Sequence, residues 1–247
     1  MTRPRRGDSE FAGTTCSAPA ARSDRMRDIV VAHVPTDRAI RVLDLGCGTG
    51  SLTWRLAEAL PAAALTGIDV SAANIRAATA QQAGRPSPAR VQFEVADYLE
   101  YRAGLFDVIV ADGVLHLIPG DTDRLARKIA ADLRPGGVLI CSMPFECTYN
   151  KVFAVVRRLL RTVRSPLVDA AIVRAGRLLH GREMDDDGLR ERVRYMYIPP
   201  ERMMGERLAR RFASAGLDRT SEHAVQSTSL SQLKHRATIF TRGSATS

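Results

Sequence analysis

The sequence predicts an α/β fold, a doubly wound and mostly parallel sheet of seven strands carrying a helical insertion. Three observations lead there. Apolar runs alternate with helical patterns five times between Arg41 and Pro144. A glycine-rich turn closes the first apolar run, and two more β-like segments follow near the end of the chain. Short connections between the runs favour parallel neighbours joined by helices.

Residues 1–24, rich in Pro, Arg, Ser, Thr and Ala and without periodicity, read as a mobile leader, with 25–247 as a single domain. A short helix is expected from about Asp24 to Val34. Val42-Leu43-Asp44-Leu45 is the first strand, and the helix from Ser51 to Leu60 stops at Pro61. Ala64 to Val70 is the second strand, and Ser71 caps the helix after it. Val91 to Val95 is the third strand. Phe106 to Ala111 is the fourth, apolar on both faces as a central parallel strand should be. Asp121 or Thr122 opens a helix carrying Leu125, Ile129, Ala130 and Leu133. Pro135-Gly136-Gly137 stops it, and Val138 to Met143 is the fifth strand.

Residues 147–200 change character. Val152, Val155, Val156, Leu159, Leu160 and Val163 share one helical face, with Arg157, Arg158, Arg161 and Arg164 on the other. Pro166 breaks this helix, and a second runs from Leu167 to about Leu179. Glu201 to Ala215 reads as a helix ended by Gly216. Thr220–Gln226 and His235–Arg242 are expected to add an antiparallel edge.

The chain has 247 residues, 45% hydrophobic and 26% charged, which suits a soluble globular protein. No stretch approaches the roughly 18–20 apolar residues of a membrane-spanning helix. Arg5-Arg6 is not followed by the apolar segment of a secretion signal. Cys16, Cys47, Cys141 and Cys147 form no CxxC pair and lack histidines at metal-ligand spacing, so a reduced, cytoplasmic protein without a metal site is expected. The net charge is +9. Its distribution matters more than its size. Residues 40–146 hold 10 basic and 12 acidic side chains, 147–200 hold 11 and 6, and 201–247 hold 8 and 4. The basic excess therefore lies on the insertion and the C-terminal part. A nucleic-acid substrate is disfavoured, because aromatic residues are 5% of the chain and no RNA-binding module is present.

The strongest local signal is Val42 to Gly50. Glycines at 46, 48 and 50 follow a strand and open a helix, letting a ligand approach the backbone closely. No Lys-Ser/Thr pair follows, so this is not a P-loop. Asp69 ends the second strand, where a carboxylate can accept both ribose hydroxyls. The G-x-G-x-G spacing differs from the G-x-G-x-x-G of dinucleotide binders, yet these two features alone leave an NAD(P)-linked oxidoreductase open.

Later elements narrow the choice. Asp97-Tyr98 follows the third strand, Asp112-Gly113-Val114-Leu115-His116 follows the fourth, and Leu133-Arg134-Pro135-Gly136-Gly137 precedes the fifth. With these, residues 40–145 resemble the class I S-adenosylmethionine-dependent methyltransferases. The nearest group is the small-molecule one that includes the ubiquinone/menaquinone-biosynthesis and trans-aconitate methyltransferases. The resemblance implies S-adenosyl-L-methionine as cofactor and methyl transfer to O, N or C of a small acceptor. It places Asp44 and the loop of Gly46, Cys47, Gly48 and Gly50 at the methionine part, with Asp112 and Gly113 lining that end through the backbone. Asp69 would bind the ribose and Val70 pack on the adenine, with Asp97 reading its amine and Tyr98 beside it. Asp112-Gly113-Val114-Leu115 departs from the (N/D)-P-P-(Y/F) pattern of many amino-methylating enzymes. An RNA or protein methyltransferase stands as the alternative within the fold.

His116 lies just past the fourth strand, on the side where ligands bind in such sheets, and is the candidate catalytic base or acceptor contact. Tyr149, His180, Tyr195 and Tyr197 are candidate pocket residues, while His33, His223 and His235 carry no special signal. Residues 147–200 are expected to form a substrate lid. Its arginine face has three readings: a solvated surface, an attractor for an anionic substrate, or a helix on a membrane surface suited to a lipophilic one.

Overall fold

A computed structural model describes residues 20–84, 90–180, 193, 196–225 and 233–243. The strands are β1 (Arg41–Leu45), β2 (Ala64–Asp69), β3 (Arg90–Val95), β4 (Phe106–Asp112), β5 (Leu133–Pro144), β6 (Leu217–Val225) and β7 (His235–Arg242). The helices are α1 (Ala20–Val31), α2 (Ser51–Ala59), α3 (Ala72–Ala80), α4 (Thr122–Asp132), α5 (Thr148–Thr162), α6 (Pro166–His180) and α7 (Glu206–Ala213).

The strands form one seven-stranded sheet in the order β3-β2-β1-β4-β5-β7-β6. Strands β1 to β5 pair in parallel, and β7 runs antiparallel to both β5 and β6. The expected fold class is borne out. The order reverses between β1 and β4, and at such a switch point the carboxyl ends of neighbouring strands open a crevice. Asp44 and Asp112 stand at that place.

Side-chain alternation along the strands builds a core on each face. Val42, Leu65 and Val110 pack under Met26, Val30, Trp54 and Leu56. On the other face Leu43, Ile109 and Leu139 meet Leu125, Ile129, Leu208 and Phe212. Ser71 accepts from the Asn74 amide as the N-cap of α3, as expected.

Four expectations need correction. Helix α1 begins at Ala20, so residues 20–24 are not leader; residues 1–19 lie outside the described ones. Strand β5 begins at Leu133, directly after α4, and so includes Pro135-Gly136-Gly137. Phe106 pairs with Leu133, and the ladder shifts before Val108 pairs with Val138, which absorbs the extra residues. Helix α7 starts only at Glu206, because the preceding backbone is used elsewhere: Met204 N–H donates to Pro144 O (2.7 Å) and Glu146 N–H to Met204 O (2.8 Å).

The fourth correction concerns the insertion. Helix α5 turns Asn150, Ala154 and Arg157 inward, while Val152, Val155, Leu159 and Val163 are more than half exposed. Asn150 sets this rotation. Its amide donates to Phe145 O (2.7 Å) and Lys234 O (2.9 Å) and accepts from Lys234 N–H (2.8 Å). Three bonds to buried backbone groups outweigh the apolar pattern. His180 ends α6, and Tyr195 lies outside the described residues.

A second polar anchor fixes the loop that follows β4. Arg202, 8% exposed, donates to the carbonyls of Leu115, Ile118 and Gly120. The Glu201 amide reaches His116 O at 2.9 Å. Replacing Arg202 by Met orphans buried carbonyls, so it should cost about 2–4 kcal/mol of unfolding free energy. Urea denaturation measures this, and Arg202→Lys, lacking the planar fork, should recover only part.

Candidate functional site

The first strand ends in a turn that side chains would obstruct. Gly46, Gly48 and Gly50 have φ of 70°, 54° and 81°, a region that glycine adopts without strain. A Cβ on Gly46 would stand 2.6 Å from the Val114 side chain. The turn is tied to the next strand, because the Gly46 and Cys47 amides donate to Ile68 O at 2.8 and 3.0 Å. Beside it lies a cleft, partly open to solvent, lined by Ser23, Asp44, Gly46, Cys47, Gly48, Thr49, Ser51, Leu52 and Asp112.

Asp44 and Asp112 line this cleft and Asp69 is bonded to its Gly48 wall, and each of the three carboxyl groups has a different partner. Asp44 is 2% exposed and accepts from Thr53 Oγ1 at 2.5 Å. Burial, with the neighbouring Asp112 and Asp69, pushes its pKa up to about 7 despite that bond. Asp69 accepts from the amides of Gly48 (3.0 Å) and Ser71 (2.8 Å) and from Asn74 Nδ2 (3.2 Å). A carboxylate has about four lone-pair directions, so one is left for a ligand hydroxyl. Asp112 is held by Arg22 of α1, whose Nε lies 3.0 Å from both carboxylate oxygens and whose Nη2 lies 2.6 Å from one.

Arg22 was not legible as a site residue. Its Nη2 also donates to Ser142 Oγ (3.1 Å) and His235 Nδ1 (3.1 Å). A guanidinium can only donate, so His235 Nδ1 accepts and its ring is neutral. Burial, then Arg22, holds His235 well below the usual histidine range. The signal for Arg22 was its position one helical turn before Met26, on the face that buries Met26, Ile29 and Val30. Arg22 also fills the space beside Gly113, whose Cβ would meet Nη2 at 2.8 Å.

The other expected residues fall into two groups. Val70, 43% exposed, offers an apolar surface beside Asp69 at the end of β2, and Asp97 accepts from the Leu99 amide (2.9 Å) at the end of β3. Two others are structural. Tyr98 is buried in the core with Leu125 and Ile129, under the Lys128 ammonium at 4.8 Å, so it does not line the cleft. The Cys47 thiol is buried and its pKa raised by burial and then Asp44, which makes it an unreactive loop filler.

His116 is 4% exposed, and its ring meets that of His235 edge-on with centroids 5.3 Å apart. Burial, then the charges of Arg157, Arg22 and Arg202, lowers its pKa to about 3. Such an imidazole is neutral and a weak proton acceptor, and in these surroundings it suits a contact more than a general base. Arg157, expected in solvent, is 7% exposed beside this histidine pair. Tyr149 stacks on Phe153 at 5.6 Å, and Tyr197 donates to Asp169 at 2.5 Å.

The comparisons with known proteins agree with this geometry. Residues 43–139 match the family described as "Methyltransferase domain". A trans-aconitate 2-methyltransferase of Deinococcus radiodurans is 40% identical over 124 residues, which are 50% of this chain and 45% of that protein. The chain thus spans about half the length of the curated relatives it matches. Magnesium protoporphyrin IX methyltransferase of Synechocystis, solved with bound SAH, superposes with a TM-score of 0.59 at 18% identity, covering 90% of this chain and 84% of that one. The 1,6-didemethyltoxoflavin-N1-methyltransferase of Burkholderia thailandensis gives 0.59 at 17% identity, covering 91% and 79%. The Rossmann-like methyltransferase fold and the family resemblance expected from the sequence both stand.

The raised pKa of Asp44 has a consequence for stability. In the unfolded chain the carboxyl ionises near 3.8, whereas in the fold it holds its proton to about pH 7. At Asp44 the folded state therefore binds more protons in that window, so the contribution of this group to stability falls as pH rises from about 4 to 7, opposite in sign to the contributions of the buried His116 and His235. Asp44→Asn should remove this contribution, which denaturant titrations at pH 4.5, 6 and 7.5 (chosen within and beyond the window) would measure.

Proposed function

We propose that this chain transfers a methyl group from S-adenosyl-L-methionine to a small organic acceptor, as a protein acting in the cytoplasm. The observation that carries the reading is the set of three carboxyl groups around the glycine turn. Asp44, Asp69 and Asp112 suit a ligand with positive charge and ribose hydroxyls. The G-x-G-x-G spacing of the turn, unlike the G-x-G-x-x-G of dinucleotide binders, disfavours the NAD(P)-linked alternative. The matched domain and the S-adenosylhomocysteine-bound structural neighbours support the same choice.

When bound, the cofactor supplies an electrophilic methyl group already activated by sulfonium. The protein's own task is then placement. The turn at Gly46–Gly50 presents backbone to the methionine part, with Asp44 and Asp112 opposite its ammonium. Asp69, oriented by three donors, keeps one lone pair for a ribose hydroxyl, and Val70 offers an apolar platform for the base. Asp97 stands at the neighbouring strand end to read the adenine amine. His116 contacts the acceptor as a neutral ring rather than taking its proton.

The acceptor is read as small and anionic. The basic side chains Arg157, Arg22 and Arg202 gather around His116, and curated relatives such as those of Deinococcus radiodurans and Azoarcus are named for trans-aconitate, a carboxylate. Among the described residues no helix is long and apolar enough to cross a membrane. In calorimetry, the wild-type protein should bind S-adenosylhomocysteine, and Asp69→Ala should bind it at least about tenfold more weakly, since a charged hydrogen bond contributes roughly 1.5–3 kcal/mol. Equal affinities would remove Asp69 from the ribose site.

A further inference from the structure

We infer that Arg157, with His116 and His235, forms a carboxylate-binding subsite that holds the acceptor against the mouth of the cofactor cleft. This rests on the methyltransferase reading for the subsite's purpose, though not for its existence. The basis is an imbalance of buried charge. The Arg157 guanidinium lies under α5 at 7% exposure. It donates through Nη1 to Ile198 O at 3.2 Å and lies 5.1 Å from the centre of the Phe153 ring. Its Nε has no hydrogen-bond partner, and no carboxylate pairs with it among the described residues.

A buried cation left unpaired is costly, so such groups are normally matched. Its neighbours show what is missing. Arg202 spends its donors on three carbonyls, and Arg22 is committed to Asp112, Ser142 and His235. His235 is neutral, and so is His116, whose buried Nδ1 also lacks a partner among the described residues. Burial has lowered even the Arg157 pKa to about 10. Among the described residues Arg157 is thus a buried cation with no carboxylate partner and an unused donor, with free hydrogen-bonding capacity on its Nε and on His116 Nδ1.

One negative charge completes it. A single carboxylate fits a guanidinium fork in a planar, two-bonded geometry and brings one charge, whereas a phosphate dianion would leave an excess of negative charge in a buried place. Location supports the assignment. Arg22 and Ser142 touch His235 on one side and, through Asp112, reach the lining of the cofactor cleft on the other. A carboxylate at Arg157 would thus be anchored next to the methionine end. This arginine lies outside residues 43–139, the span that matches the methyltransferase domain.

The test uses the full chain, thermal melting and a panel of succinate, tricarballylate, benzoate and inorganic phosphate, with the trimethyl ester of tricarballylate as the uncharged control. Each ligand is run with and without S-adenosylhomocysteine. At least one carboxylate should raise the wild-type Tm, while the ester and phosphate should not. In Arg157→Met the carboxylate affinity should fall at least tenfold, the S-adenosylhomocysteine shift should persist, and the unliganded variant should melt no earlier than wild type. The inference is overturned by any of four results: no carboxylate shift, an undiminished shift in Arg157→Met, phosphate matching the carboxylates, or a variant melting well below wild type. Absence of the S-adenosylhomocysteine shift in wild type would count against the methyltransferase reading alone, because the anion arm without it still reports on Arg157.

Discussion

Three carboxyl groups, Asp44, Asp69 and Asp112, stand near one crevice at the carboxyl ends of β1, β2 and β4, and the structure must accommodate their mutual repulsion. Each is handled differently. Asp44 retains a proton and a bond from Thr53, Asp69 is held by two backbone amides and Asn74, and Asp112 takes the Arg22 guanidinium. The third arrangement ties α1, which precedes the sheet in sequence, to the strand ninety positions later. It also gives the crevice two characters. The side facing the glycine turn is acidic and suits a cationic, hydroxyl-bearing cofactor. The side facing Arg157 and the two histidines is basic and neutral by turns, and suits an anion.

Polar anchors, rather than apolar pattern, position what surrounds the crevice. Arg202 gathers three carbonyls of the loop carrying His116, and Asn150 sets the rotation of α5. Both act through buried backbone groups whose loss would be costly, so each has effectively one orientation. The outcome is a histidine and an arginine pressed into low-polarity surroundings. There they lose basicity and retain hydrogen-bonding capacity, a combination suited to binding more than to proton transfer.

Much of this was legible in the sequence. The strands carry the two-residue alternation that a two-faced core demands, so Val42 and Leu43 already announced opposite layers. The glycines at 46, 48 and 50 and the aspartates at the strand ends were readable because their roles are local. What escaped was non-local. Tyr98 follows Asp97, yet its ring turns into the core under Lys128, which comes from a helix some thirty residues on. Arg157 was placed in solvent because valines and leucines dominate the opposite face, and the deciding bonds run from Asn150 to residue 234. Arg22 lay in a segment whose composition suggested no structure, and its partner is in β4.

The central claim is that the acidic crevice receives a sulfonium cofactor rather than a dinucleotide. Calorimetric titration of the full chain with S-adenosyl-L-methionine, and in parallel with NADH and NADPH, tests it most directly. Saturable binding of S-adenosyl-L-methionine with no heat from either dinucleotide is the predicted result. Saturable binding of a dinucleotide, with none of S-adenosyl-L-methionine, would contradict the account.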